Sequence, residues 1–272
     1  IGRRITGDHA LILQNDDGRV IFVLPYEQDC TLIGTTDVPF EGDPADVAIS
    51  GDEIEYLCRS VTRYLAEPVT PEQVIWQYAG VRPLYDDGKG DPSDVTRDYV
   101  LTVDGENGRP PLLSIFGGKI TTARVLAETV LERLKPFLPG MASEWTATAT
   151  LPGGDIGEFD EFLDDLAKRF SGFDRGWLAE LARRQGSRAL EILEGAAGPP
   201  DLGQDFGCGL YAREVDWLIA QEWAREPSDI LWRRTKLGLR LSEAGKDALA
   251  GYMARIRSGK SLNTDSTPQS VS

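Results

Sequence analysis

The most informative chemistry in the sequence sits at Gly117-Gly118-Lys119-Ile120-Thr121-Thr122. Paired glycines let a backbone approach a ligand closely and adopt dihedrals closed to other residues. Free N–H groups at a helix start favour an anion or an electron-rich carbonyl, and a lysine adds a full positive charge. The segment is not a Walker A loop, because Ile120 stands where Ser or Thr is needed and Leu113 stands where the first glycine is needed. A plain strand-to-helix turn would use the same glycines for geometry alone, and the residue types leave both readings open. A second candidate is Arg82 in Gly80-Val81-Arg82-Pro83-Leu84. Its planar fork suits a carboxylate or phosphate. A structural ion pair with one of the nearby aspartates accounts for it equally well. Thr35 and Thr36, beside Gly34, offer hydroxyls to an oxygen-rich ligand or serve as ordinary β-branched strand residues. Arg97, in Thr96-Arg97-Asp98-Tyr99, is a ligand clamp or a partner of Asp98 or Asp94.

The elements that must hold these residues follow from periodicity and turn chemistry. Ala10 to Gln14 and Val20 to Pro25 flank Asn15-Asp16-Asp17-Gly18, a hairpin signal. Thr31 to Val38 reads as a third strand with a glycine inside it. Gly51 to Leu65 carries Ile54, Leu57, Cys58, Val61 and Leu65 at helical spacing. Val74 to Arg82 reads as a strand that ends at Pro83. Residues 86–92, rich in Gly, Asp and Pro, read as an exposed loop. Tyr99 to Val103 and Leu112 to Phe116 form a second hairpin, followed by a helix from about Thr121 to Leu134. After Pro152-Gly153-Gly154 the strand signals vanish. Helices are expected at Phe159 to Phe170, Trp177 to Gln185, Ser187 to Leu193, Ala212 to Glu226 and Ser228 to Leu237. The last of these holds the densest positive cluster, Trp232-Arg233-Arg234-Thr235-Lys236, read as a basic helix face that neutralises acidic neighbours. Trp217, Trp223 and Trp232 are expected to be core anchors.

Composition bounds the function. The 272 residues carry a net charge of −15. That balance argues against a duplex nucleic-acid binder, which needs a dense basic face. No apolar run is long enough to span a bilayer as a helix. Three scattered cysteines make no disulfide framework and no zinc motif, so a reducing compartment is the default. A single histidine, His9, excludes a multi-histidine metal site within this sequence. No dinucleotide fingerprint, nucleophile elbow or calcium loop is present. The sequence opens IGRRITGDHA, with neither Met nor the apolar core of a signal peptide, and is expected to be a processed, engineered or partial chain.

Eight segments together carry a family resemblance: ILQNDDGRVIFVLP, IGTTDVPFEGDP, YAGVRPLYDD, TRDYVL, PLLSIFGGKITTARVLAE, TLPGGDI, DLGQDFG and DILWRRTKLGL. Each is weak alone, but their order over most of residues 10–245 resembles the C-terminal half of the aerobic, bacterial FAD-dependent glycerol-3-phosphate dehydrogenases. The resemblance implies an α+β chain. Residues 1–150 would form an antiparallel-sheet substrate-capping region plus the C-terminal edge of an FAD-binding domain. Residues 151–257 would form an all-α C-terminal domain, and 258–272 a polar, disordered tail. It implies oxidation of sn-glycerol 3-phosphate to dihydroxyacetone phosphate, with electrons passing through FAD to a membrane quinone. The whole enzyme would be a homodimer lying peripherally on the cytoplasmic face of the membrane. Arg82 and Lys119 would be catalytic, and Arg82, Arg97, Thr35 and Lys119 would bind substrate. The backbone around Gly117, Gly118, Lys119, Ile120 and Thr121 would meet the flavin. No residue is assigned as the base that takes the substrate's hydroxyl proton. Lacking the dinucleotide motif, the chain alone is expected to be inactive. A non-catalytic binding or oligomerisation module is the competing reading.

Overall fold

A computed structural model describes residues 1–259 apart from 4, 6, 86–97 and 106–109. The chain divides into two compact units, Ile1–Ala149 and Thr150–Ser272.

In the first unit, β1 (Leu11–Gln14), β2 (Val20–Tyr26) and β3 (Cys30–Gly34) form an antiparallel sheet in sequence order. Leu13, Ile21 and Val23 are buried while Ile12, Val20 and Phe22 are exposed, so alternation fixes which face is covered. The covered face packs with α1 (Gly51–Thr62) through Leu57, Cys58 and Val61. Tyr56 donates to Asp17 at 2.8 Å and Arg63 pairs with Asp16 at 2.8 Å, tying the helix to the first hairpin turn. The second hairpin, β4 (Val100–Asp104) with β5 (Leu112–Phe116), leads through a 3-10 turn at Ile120–Thr122 into α2 (Ala123–Leu134). No residue of α2 is buried.

Two strand expectations are corrected. The third strand stops at Gly34, short of Val38, because its partner β2 pairs with it only as far as Phe22 opposite Gly34. Val74 to Arg82 is not a strand. Its β-forming residues have no ladder partner among the described residues, and strand structure is a property of pairing rather than of one segment. The loop expected at 86–92 lies outside the described residues, as does the tail expected at 258–272 apart from its first two residues.

In the second unit, α3 (Phe159–Arg169), α4 (Arg175–Gln185) and α5 (Ala189–Ile192) bury Leu163, Leu166, Leu178, Leu181 and Ile192 together. A second cluster joins α6 (Ala212–Glu222), a π-helical turn at Asp229–Arg234 and α7 (Glu243–Arg257) through Leu218, Ile230, Leu249 and Tyr252. The unit is not all-α. A short hairpin, β6 (Asp205–Gly207) with β7 (Leu210–Tyr211), precedes α6. Trp177 donates from its indole to the Gly209 carbonyl at 2.8 Å, which fixes that hairpin. Arg184 grips the buried Glu214 with two N–H groups, each at 3.1 Å.

The basic cluster is largely neutralised, as its charge pattern suggested, although on a π turn rather than an α-helix. Arg233 pairs with Asp229 at 3.1 Å and Arg234 with Glu222 at 3.3 Å. The expectation for Trp223 is corrected. It ends α6 in the left-handed region at φ 57° and is 80% exposed, so it anchors no core. The turn there also stops the helix short of Glu226.

Candidate functional site

The candidate site lies wholly in the first unit. A cavity of about 710 Å³ opens where β2, β3, α1 and the irregular segment around Trp76 and Arg82 meet. Phe22 and Leu24 alternate with the buried Ile21 and Val23, and both line the cavity. Trp76 and Tyr78 stack at 5.0 Å between ring centroids and form an aromatic wall.

The polar edge is built from the residues just after β3. Thr35, Thr36 and Asp37 line the cavity, and so does Arg82. Arg82 donates from Nη1 to an Asp37 carboxylate oxygen at 2.6 Å. Thr35 donates to the Thr36 carbonyl at 2.9 Å, and the Thr36 hydroxyl donates to Glu53 at 2.6 Å. Glu53 belongs to a reciprocal cap at the start of α1. Its carboxylate accepts from the Ser50 backbone and hydroxyl, both at 2.9 Å, and its own N–H donates to the Ser50 oxygen at 3.3 Å. Donation by Thr36, then by the Ser50 backbone, holds the Glu53 carboxyl below the ordinary glutamate range.

The glycine segment stands outside the cavity lining but is joined to its rim. Gly117 has φ 72° and Gly118 φ 101°, both in the region that favours glycine. A Cβ on Gly117 would meet the Asp98 carbonyl at 3.2 Å and the Pro83 carbonyl and Tyr85 nitrogen at 3.5 Å. The turn therefore lies against the backbone that follows Arg82. Lys119, half-exposed, faces the exposed Asp98 carboxylate at 3.9 Å, a loose pair. Ile120 is 93% exposed at the head of the helical segment.

So the structure places Arg82 and Thr35 on one cavity and sets Gly117 beside the backbone that follows Arg82. Gly118, Lys119, Ile120 and Thr121 continue from that turn into α2. Arg97 lies outside the described residues. Sequence reasoning passed over Asp37, Glu53 and the Trp76–Tyr78 wall as parts of the site. Ser50-Gly51-Asp52-Glu53 is a legible capping box and could have flagged Glu53. Nothing in the spacing singles out Asp37 as the partner of Arg82, 45 residues away.

Comparison with known proteins shows what the chain is similar to. Residues 3–124 match the FAD dependent oxidoreductase family, and residues 145–263 match the C-terminal domain of alpha-glycerophosphate oxidase. The chain is 48% identical over 248 residues to a glycerol-3-phosphate dehydrogenase of Pseudomonas aeruginosa, covering 91% of this chain and 48% of that protein. It is 42% identical over 238 residues to the aerobic glycerol-3-phosphate dehydrogenase of Escherichia coli, covering 87% and 48%. The chain is thus similar to FAD-dependent glycerol-3-phosphate dehydrogenases over most of its own length. It is also 46% identical over 249 residues to a D-erythritol 1-phosphate dehydrogenase of Brucella abortus, covering 91% and 49%. The chain thus spans about half the length of these curated relatives.

The residues present fit one edge of the family's cofactor, FAD. Two positive-φ glycines let the backbone turn sharply there, packed against Asp98, Pro83, Tyr99 and Leu126 where other residues would carry a Cβ. The first turn after them presents N–H groups that a helix leaves without intrahelical partners. Those groups suit the electron-rich oxygen and nitrogen of a flavin's pyrimidine end. Among the described residues no group of His, Cys, Asp and Glu could hold a metal ion. No helix among them is long and apolar enough to cross a membrane.

Proposed function

We propose that this chain supplies the substrate clamp and one edge of the flavin site of an enzyme that oxidises sn-glycerol 3-phosphate to dihydroxyacetone phosphate. One observation carries the reading: Arg82 and Thr35 share a cavity wall, and the Gly117 turn abuts the backbone just beyond Arg82. Cation, hydroxyl and flavin-facing backbone thereby come from three segments distant in sequence.

Each residue has a separate task. Arg82 binds the substrate's phosphate, and its five N–H donors leave capacity beyond the one that Asp37 takes. Thr35 offers its hydroxyl to the glycerol oxygens. Lys119 adds positive charge near the phosphate, and Arg97 completes the clamp. The backbone of Gly117, Gly118, Lys119, Ile120 and Thr121 receives the flavin's pyrimidine edge. FAD, when bound, supplies the acceptor for the substrate's hydride. The phosphate does not react, so the clamp acts by holding the carbon that does react in place. Phe22, Leu24 and Trp76 keep bulk water from the polyol.

The wider reading follows the family resemblance. Residues 1–150 are the capping region with the C-terminal edge of the flavin domain, and 151–257 are a helical C-terminal domain. A membrane quinone takes the electrons, and the whole enzyme is a homodimer on the cytoplasmic membrane face. The chain alone is inactive, since it has no dinucleotide-binding motif.

A second substrate is favoured by one observation, the 46% identity to a D-erythritol 1-phosphate dehydrogenase. Both substrates are polyol phosphates, and the same clamp would serve either. The test uses the assembled enzyme, meaning this chain joined to the half of its relatives' length that it does not span. Arg82→Ala should lower kcat/KM for glycerol 3-phosphate about a hundredfold, about 2.7 kcal/mol of transition-state stabilisation. Unchanged kinetics would remove Arg82 from the clamp. A higher kcat/KM for D-erythritol 1-phosphate than for glycerol 3-phosphate would replace the substrate and keep the clamp.

A further inference from the structure

The geometry points to Asp37 as a positioning residue that orients Arg82 for the phosphate, itself held in place through Thr36 and Glu53. The inference rests on the reading of Arg82 as the phosphate clamp. An arginine side chain has many rotamers, and a clamp works only when its fork is already aimed. Arg82 is 47% exposed and Asp37 51% exposed, and they meet at 2.6 Å on the cavity rim. A pair so exposed contributes little to folding stability. Its geometry is nonetheless specific, since one carboxylate oxygen takes one Nη1 hydrogen. The guanidinium plane is then fixed at one corner, and its other donors remain for a ligand.

Asp37 lies outside any strand or helix, so something else must hold it. The neighbouring Thr36 hydroxyl donates to Glu53 at 2.6 Å, and Glu53 is locked into the cap of α1 by Ser50. The order of support is therefore helix cap, Glu53, Thr36, Asp37 and Arg82. A one-charge rival also faces the phosphate, because Asp37 lines the same cavity. If repulsion outweighed orientation, removing Asp37 would tighten phosphate binding. Orientation predicts the opposite sign.

The experiment compares wild type, Asp37→Ala, Asp37→Asn and Arg82→Ala in the assembled enzyme. It reads kcat and KM for glycerol 3-phosphate, the inhibition constant of inorganic phosphate, and the melting temperature. Orientation predicts that Asp37→Ala raises both KM and the phosphate inhibition constant about tenfold, with kcat changed less than about twofold. Asp37→Asn, whose amide oxygen still accepts from Arg82, should recover about half of that loss on a logarithmic scale. Neither substitution should move the melting temperature appreciably. Tighter phosphate inhibition in Asp37→Ala would overturn the inference, as would an unchanged KM. A fall in kcat with an equal fall in melting temperature would also overturn it, since that is a folding defect. Arg82→Ala separates the two levels: if it leaves KM unchanged, the clamp itself is misassigned, whereas a raised KM there with a normal Asp37→Ala refutes only the positioning role.

Discussion

Arg82 and Gly117 show how single residues divide the labour of the site. Arg82 carries the charge, and Gly117 carries the geometry. At φ 72°, Gly117 occupies a conformation that costs an L-residue roughly 1–2 kcal/mol, and its Cβ would press on the Asp98 carbonyl at 3.2 Å. Gly117→Ala should therefore lower the unfolding free energy by about 1–2 kcal/mol in a denaturant titration of the chain. A neutral effect would mean that the turn relaxes and that its dihedral is not required. The glycine pair was legible in the sequence because its chemistry is local. The partner of Arg82 was not. An acidic chain offers many aspartates, and only the fold brings Asp37 within 2.6 Å. The ion-pair reading and the ligand reading of Arg82 prove compatible, because a guanidinium can serve one carboxylate and still donate elsewhere.

Elements were readable in proportion to how much of their structure is local. The Asn15–Gly18 turn and the alternation in β1 and β2 announce a hairpin, and it forms with Leu13 opposite Ile21. Val74 to Arg82 has strand-forming residues but no ladder partner among the described residues, so composition misled. The β6–β7 hairpin failed to register because three and two residues carry no period. Helix α7 went unnoticed, although Ser242 caps it and Leu249, Tyr252, Met253 and Ile256 recur at helical spacing. The cap of α1 supports two predictions. Ser50→Ala should cost about 1 kcal/mol of stability, measured by chemical unfolding. The second concerns pH. The folded-state pKa of Glu53 is depressed, so its contribution is present above the ordinary glutamate value of 4.5 and is lost as pH falls through and below it. In Glu53→Gln the acid-side loss of stability should be shallower than in wild type. Parallel profiles would mean that the carboxylate does not carry the cap. In the second unit, the Tyr252 hydroxyl donates to both Asp216 oxygens at 2.9 Å, and burial pushes the tyrosine's pKa upward. Tyr252→Phe should lower the stability of the helical unit by about 1.5–3 kcal/mol, the scale of a hydrogen bond to a charged acceptor, read by thermal or chemical unfolding.

At the scale of the whole molecule, the two units differ in how completely they bury their apolar residues. The helical unit has two dense clusters. The β4–β5 hairpin and α2 instead expose Leu112, Ile115, Phe116, Ile120 and Val125, and an isolated two-stranded ribbon is marginal in water. Hydrogen exchange on the chain alone should therefore be fast across β4, β5 and α2 and slow in α4, α6 and α7. Equal protection would mean that these exposed apolar residues do not weaken the region. The chain spans about half the length of the relatives it matches, and the proposed reading accordingly gives it half a site, a cation clamp and a flavin-facing turn. The most direct measurement is anaerobic mixing of FAD-loaded assembled enzyme with sn-glycerol 3-phosphate, followed in the visible flavin band, for wild type and Arg82→Ala. The account predicts rapid bleaching in wild type and bleaching slowed about a hundredfold at subsaturating substrate in Arg82→Ala. A wild-type flavin that stays oxidised, or a variant that bleaches as fast as wild type, would contradict it.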